Sequence, residues 1–518
     1  TAEDPWPLLA DVPLIRILAV LAQAMSLPDE SGRRWAVKAD RHQVRTTVAR
    51  GLAGEGLTEV SAADVIGTAI DLHILVEDGK GSLRFSHRIV QQLLAAMTVD
   101  IDRVIALVRT TGPGGDAGQP GSSEVEVATY AENEAGLALA AAQLHGERFT
   151  ERLATANPAL AAEAHVAARF DTTSRAAERI CAELQDGLAG ATSPPVAIRA
   201  LEALSRMGWS HPRPSDDDPT RATHLVPARQ WRLGRQIDTG NTEINSIRQE
   251  LASERRTIEL PAFRIADCPV TNREYGEFVG AGGYERRELW TTTGWDWRTR
   301  REAVEQFVAN WIRKRDTLRQ NPLRIVRLIR EGLATPAQAA ALVRFIDLDE
   351  SDLAAHARNH SNQPIRAPEA WQIPATGWLN PVVGVSWFEA NAFCAWKSEQ
   401  LGVPVRLPTE DEWEAACAWR LEHGPAKSIN SIENGAGATS PVGAYEASSG
   451  AGDVAKDMLG NCFEWTFDYY RAGDHFRRIV KGGSWRQEQW RAHPAYRGRG
   501  NISIRTDDVG FRYLVEAP

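Results

Sequence analysis

The sequence predicts an α+β chain in two unlike parts: an N-terminal α-helical region carrying a two-stranded wing, then a larger domain of short strands, helices and long irregular segments. Three observations predict it. After three helical stretches, Asp78-Gly79 separates the apolar runs of His73–Glu77 and Ser82–Phe85, a strong hairpin signal. Residues 101–220 are alanine-rich and read as helix, broken by a glycine-rich stretch. Beyond 221, three Thr/Ser-x-x-Glu signatures open helices that are set among strand-like runs.

A length of 518 residues suggests about three domains of ~150 residues each. The content of 43% hydrophobic and 25% charged residues is ordinary for a soluble globular protein. The net charge of −9 argues against bulk nucleic-acid binding. That charge is uneven: Arg471–Arg512 holds ten Lys/Arg against four Asp/Glu, a local +6. Such arginines either tie loops together through carboxylates and carbonyls or face an acidic partner. The five cysteines (Cys181, Cys268, Cys394, Cys417, Cys462) form no C-x-x-C pair and no metal spacing, which points to a reducing, cytoplasmic setting. The apolar run Pro13–Ala22 is broken by Arg16 and is too short to span a bilayer, so no membrane partner is expected. The chain opens on Thr rather than Met, as a fragment of a longer protein would.

Residues 1–100 read as one module. Leu14, Leu18, Leu21 and Ala22 make an apolar stripe, a second helix lies near Val44–Leu52, and a third opens at Ser61-x-x-Asp64. The hairpin follows, then a helix at Ser86–Met97. Helices plus a two-stranded wing make a winged-helix module. Its second helix is not markedly basic, which favours a packing or interdomain role over DNA reading. Residues 101–220 form a helical, repeat-like region ending in a linker. The Thr111–Ser123 stretch is a loop, and short helices are expected at Ala135–Leu144, Ala161–Ala168, Ser174–Leu188 and Val196–Met207. Ser210–Thr220, rich in Pro and Asp, is the linker.

Residues 221–518 form the third domain. Strands are expected at Leu225–Gly234 and Phe263–Val270. Thr271-x-x-Glu274, Ser386-x-x-Glu389 and Thr409-x-x-Glu412 start helices, the last carrying Trp413, Ala416 and Cys417 inward. A polar helical insertion occupies 300–355. The tail is expected to be strand at Trp465…Tyr469, Ile479–Val480 and Phe511–Val515, with a long irregular segment between Val480 and Phe511. Such segments on a rigid scaffold commonly carry function.

These residues carry a resemblance. Pro269-Val-Thr-Asn-Arg-Glu-Tyr275, Ala281-Gly-Gly-Tyr284, Gly294-Trp-Asp-Trp297, Pro381-Val-Val-Gly-Val-Ser-Trp387, Arg406-Leu-Pro-Thr-Glu410, Asp457-Met-Leu-Gly-Asn461, Glu464-Trp465, Gly482-Gly-Ser-Trp485 and Gly510-Phe-Arg512 resemble the formylglycine-generating-enzyme/sulfatase-modifying-factor family over roughly 224–516. The resemblance implies a C-type-lectin-like fold, rich in buried Trp. Family oxidases use two copper-binding cysteines after Gly-Gly-Ser; here Trp485–Tyr496 contains none, and copper(I) needs soft ligands. Iron-dependent sulfoxide synthases of the family use a separate histidine-rich domain, which the helical region does not supply. Asn461 and Glu464 match a region that holds calcium in some relatives; a hydrogen-bonded turn without metal is the alternative. The tail is also similar to the variable proteins of diversity-generating retroelements, which display a hypervariable surface ending in Gly-Phe-Arg. Likewise, Leu72…Leu75-Val-Glu-Asp-Gly79, Arg84-Phe-Ser-His87 and Gln91-x-Leu93 resemble the winged helix that follows the nucleotide-binding domain of bacterial STAND/NACHT-type NTPases, although G-x-x-x-x-G-K-[ST] is absent.

The resulting expectation is a non-catalytic recognition protein. The ligand-binding surface would be Arg486, Gln487, Gln489, Trp490, His493, Tyr496, Gly498, Gly500, Asn501, Ile504, Thr506, Asp507 and Asp508, with Arg497, Arg499 and Arg505 as framework. Trp485 is expected in the core, and Trp490, His493 and Tyr496 at the surface. The partner would be a protein or other macromolecule at this surface, with an NTPase or signalling partner at the N-terminal region. The alternative is a divergent formylglycine-generating oxidase acting on protein cysteine.

Overall fold

The computed structural model describes residues 13–26, 39–86 apart from 55–56, 58–59, 72 and 79–81, positions 91 and 94, 137–299 apart from 192, 211, 213–217 and 248–250, 304–320, and 336–516 apart from 362–363, 370, 372, 374, 425–427, 434–436 and 450–454. The chain divides into two compact units, 1–210 and 211–518. No described helix is long and apolar enough to cross a membrane.

In the first unit, helices α1 (Pro13–Ser26), α2 (Arg41–Gly54) and α3 (Ala62–Asp71) accompany a small sheet. Ser61 Oγ accepts the Asp64 N–H at the start of α3, as the sequence signals. Strands β2 (Leu75–Glu77) and β3 (Ser82–Phe85) pair antiparallel across the turn at Asp78. A two-residue strand β1 (Ala39–Asp40), too short to leave a periodic signal, pairs with the other edge of β3. Of the helix expected at Ser86–Met97, Ser86 is a bend and positions 91 and 94 are helical, the others lying outside the described residues, as does the loop at Thr111–Ser123. Further along come a helix over 137–145 and helices α4 (Glu147–Ala154), α5 (Pro158–Ala167), α6 (Arg175–Ala189) and α7 (Pro194–Arg206). They pack through alanines and a few large residues such as Phe149, Ile180 and Leu204. Asn157 and Ser174 cap α5 and α6, and prolines stand in the first turn of α5 and α7.

The second unit holds two four-stranded sheets and a two-stranded ribbon. The region expected to be one strand at Leu225–Gly234 is two, β4 (Thr223–Val226) and β5 (Arg229–Leu233), because Pro227 cannot donate to a ladder. β5 pairs with β6 (Arg256–Leu260). The first sheet runs β4-β7-β13-β8, with β7 at Phe263–Ala266, β8 at Val405–Arg406 and β13 at Leu514–Val515. The second runs β11-β10-β9-β12, with β9 at Phe463–Tyr469, β10 at Arg477–Lys481, β11 at Gly498–Asn501 and β12 at Val509–Gly510. The tail is therefore less irregular than expected. Glycine at 498 and 500 hides β11 from a periodicity reading; a Cβ at Gly500 would lie 2.3 Å from the Trp465 ring.

Helices α8 (Asn272–Gly280), α9 (Thr292–Arg298), α13 (Trp387–Leu401), α14 (Glu410–His423) and α15 (Ala444–Ser449) join the sheets, and α10 (Val304–Gln320), α11 (Pro336–Asp347) and α12 (Glu350–Ser361) form the insertion. Both Ser386 and Thr409 make reciprocal capping boxes with Glu389 and Glu412. Thr271 caps α8 by one bond, while Glu274 turns instead to Lys397 and Tyr513. Thr409→Ala is expected to cost about 1 kcal/mol of this unit's stability, read by urea denaturation; an unchanged midpoint would mean the cap is dispensable.

The core is aromatic. Tyr275, Phe278, Tyr284, Phe393, Trp396, Phe511 and Tyr513 pack around α13, and Trp231, Phe263, Trp413 and Leu514 make a second cluster. Burying an indole strands its N–H unless a partner is found. Trp387 donates to Thr466 O, Trp465 to Val385 O, Trp290 to Gly283 O and Trp413 to Glu464.

Candidate functional site

The chain leaves β10 at Lys481 and reverses through Gly482 and Gly483, with φ of +94° and +76°. Only glycine adopts such angles freely, and a Cβ at Gly483 would stand 2.9 Å from Ala492 Cα. The turn delivers Ser484 into the interior, where its Oγ donates to Asp508 at 3.1 Å. Trp485 follows: its backbone N–H donates to Asn461 O and its indole to Asp507 O at 3.2 Å. Arg486 lies over the Trp485 ring at 4.7 Å and pairs with Asp507 at 2.6 Å. Gln487 O accepts the Ile432 N–H, and Gln489 N–H donates to Glu433. The outcome is a rim in which Trp485, Arg486, Gln487, Ile432 and Asp507 come together, Ile432 being 57% exposed. Ile432 and Glu433 carry no motif, and only the fold brings them to the tail.

The other expected residues divide by burial. Trp490 is half-buried, edge-on to Tyr496 at 5.6 Å, with its indole donating to Glu488. Asn501 and Ile504 are exposed and Thr506 half-buried along the returning segment. Gln489, His493, Tyr496, Gly498, Gly500 and Asp508 are buried and offer no surface. His493 corrects the expectation most clearly. Its Nε2 meets Ile237 O at 3.1 Å and its Nδ1 accepts the Ala495 N–H at 3.0 Å, so it ties the tail to the segment after β5. Burial pushes its pKa down to about 4. Tyr496 is fixed by a bridge to Ala252 and by Arg491, which donates to its hydroxyl at 2.8 Å. Trp485, expected in the core, is only partly covered, because the glycine turn swings it outward over Asp507.

Two of the three framework arginines are held by carboxylates. Arg497 donates to Glu410 at 3.0 Å and to Tyr470 O. Arg505 reaches Glu369 at 2.9 Å and buried Glu389 at 3.2 Å. Arg499 is exposed, 5.9 Å from the Tyr470 ring. Beneath them Lys481 and Glu414, both fully buried, pair at 2.8 Å. Burial raises the Glu414 carboxyl, but Lys481 and Arg256 outweigh it and hold the net shift downward.

The residues do not fit a calcium ion at Asn461 and Glu464. Both Glu464 oxygens take Arg512 at 2.7 Å, and one also takes the Trp413 N–H. Asn461 Oδ1 accepts from Ser440 N and Asn430 Nδ2, and its Nδ2 donates to Ser440 O. A fixed guanidinium stands where the cation would. Among the described residues no group of three or more His, Cys, Asp or Glu is arranged to hold a metal ion. Calcium or EDTA is accordingly expected to leave the melting temperature unchanged, whereas a site filled at 100 times its Kd would add about 2.7 kcal/mol. Nor do the cysteines suit copper(I). All five are unpaired, with Cys394, Cys417 and Cys462 buried. Burial pushes the Cys417 thiol up to about 12 and raises those of Cys394 and Cys462, so none is a ready thiolate.

Short strands, long ordered loops, a tryptophan-rich core and a glycine-turned tail ending in buried Gly-Phe-Arg define a C-type-lectin-like domain. Residues 217–324 and 335–517 match the sulfatase-modifying factor enzyme 1-like domain, and the chain belongs to that family. It is 29% identical to the hercynine oxygenase of Mycobacterium tuberculosis over 284 residues, 49% of this chain and 53% of that one. It is 25% identical to the inactive C-alpha-formylglycine-generating enzyme 2 of Mus musculus over 354 residues, 62% of this chain and 93% of that one. The chain spans about half the length of the hercynine oxygenases it matches. Among solved structures, Treponema denticola variable protein 1 is 15% identical with a TM-score of 0.29, covering 57% of this chain and 95% of that one.

Proposed function

We propose that the C-terminal domain is a recognition module that binds a protein or other macromolecular ligand on the rim of Trp485, Arg486, Gln487 and Asp507, extended by Trp490, Ile504 and Thr506. The observation that carries this reading is the segment after Gly482-Gly483-Ser484: it has no cysteine through Tyr496, and its half-buried side chains beside exposed Glu488 are Trp, Arg and Gln rather than nucleophiles. Trp and Arg are the side chains most often found as binding hot spots. A relative named as inactive, matched over nearly its whole length, supports the same reading. Variation at such exposed loop positions costs the fold little, so the module also suits a retroelement-diversified display. The N-terminal unit, read as a winged helix with a helical arm of a STAND-type system, would connect this sensor to a signalling partner.

The similarity to hercynine oxygenases favours a second reading, an oxidase working through residues outside the tail. One experiment separates the two. Incubated with copper(I) and a cysteine peptide, or with iron(II), hercynine and a thiol, the chain is expected to leave both substrates unchanged by mass spectrometry. Turnover that is lost on chelation overturns the recognition reading.

A further inference from the structure

A second surface lies along β9 and the start of β10. On β9, alternate residues point to one face of the sheet: Trp465 lies buried against Gly500, then Phe467 and Tyr469 emerge 46% and 43% exposed. Phe476, just before β10, is 69% exposed. Ile502 and Trp387 flank them, since Ile502 N–H donates to Phe476 O and Trp387 N–H to Ile502 O. In the middle lies Arg478. Its guanidinium carbon is 3.5 Å from the centre of the Tyr469 ring, 4.1 Å from that of Trp387 and 5.4 Å from that of Phe467. Nη1 donates to Phe467 O, Nε is buried without a partner, and Nη2 makes no hydrogen bond among the described residues. Arg478 makes no ion pair among the described residues, unlike Arg497, Arg505 and Arg512. Burial lowers its pKa, and Tyr469 and Asp468 only partly oppose that shift.

We propose that this face of the β9–β10 hairpin docks a polypeptide segment in which an Asp or Glu stands beside an aromatic or aliphatic side chain. The carboxylate completes Arg478 through Nη2, and the apolar neighbour covers Phe467, Tyr469 and Phe476. Charge-assisted hydrogen bonds strengthen as water is excluded, and aromatic anchors with an arginine are the usual energetic centre of an interface. Two other occupants fit less well. A single-stranded nucleic acid needs free ring faces for its bases, and Arg478 already stacks on Tyr469 and Trp387. A second copy of this face would set Arg478 against its own equivalent.

The test is selection of a phage-displayed random-peptide library on the whole chain, followed by titration of the enriched peptides. The expected peptides carry an acidic residue next to Phe, Trp or Leu. Their affinity falls about tenfold or more in Phe476→Ser and in Arg478→Gln, and stays unchanged in Arg486→Gln on the rim. Phe476 is largely exposed, so Phe476→Ser keeps the fold even where Arg478→Gln disturbs it. The proposal is overturned by a failure to enrich, by enriched peptides without acidic residues, or by binding indifferent to Phe476→Ser. It is equally overturned if oligothymidylate binds and loses affinity in these variants, or if the chain self-associates through Phe476.

Discussion

Replacing Arg512 with leucine is expected to cost the second unit about 3–5 kcal/mol, because it strands a buried carboxylate. Arg512 and Glu464 are both fully buried, and they meet through two parallel bonds of 2.7 Å. The remaining guanidinium donors reach Ala266 O and Lys456 O, so one side chain fastens β9, β7 and the segment before β9. Glu464 also anchors the Trp413 indole at 2.7 Å. Adding Glu464→Gln to Arg512→Leu removes the uncompensated charge while keeping an oxygen for Trp413, and is expected to recover part of the loss. Urea denaturation followed by tryptophan fluorescence reads both variants; a loss below about 1 kcal/mol in the single variant would mean that water reaches Glu464.

The second large effect is on pH dependence. The His493 pKa lies at about 4 against an ordinary 6.5, chiefly through burial. Lys481 adds repulsion, while the Ile237 carbonyl, Glu414 and Asp238 oppose the shift weakly. The folded chain therefore holds the imidazole neutral where the unfolded chain would protonate it. Its contribution is fully present above pH 6.5 and is lost as pH falls toward about 4, by about 3 kcal/mol in all. Burial raises the Asp457 carboxyl, which acts in the opposite sense in the same window. Comparison with His493→Gln isolates the histidine: the variant is expected to show a flatter stability profile between pH 6.5 and 4. Parallel profiles would show that His493 is reached by water.

How much of this was legible depended on whether the information was local. The capping signatures at Ser386 and Thr409 needed four residues each and mark their helices to within a residue. The Asp78-Gly79 turn was equally local. The family motifs carried the domain's fold. What stayed hidden is set by distant partners. His493 and Tyr496 read as surface because an irregular backbone has no period from which to infer a face, and their cover comes from Ile237 and Ala252, far upstream. Gly498 and Gly500 lack a side chain to show that they form a strand. Glu464 read as a metal ligand because its motif says only that a carboxylate is there; that its counter-ion is Arg512 is a property of the assembled sheets.

β13 lies between β7 and β8 in its sheet, although it follows both along the chain. Until Leu514 and Val515 have cleared the ribosome, β7 and β8 have no common partner, and Arg512 cannot reach Glu464. This sheet therefore closes only once Leu514 and Val515 have been made. A message broken shortly before this strand would yield a chain that cannot complete the sheet.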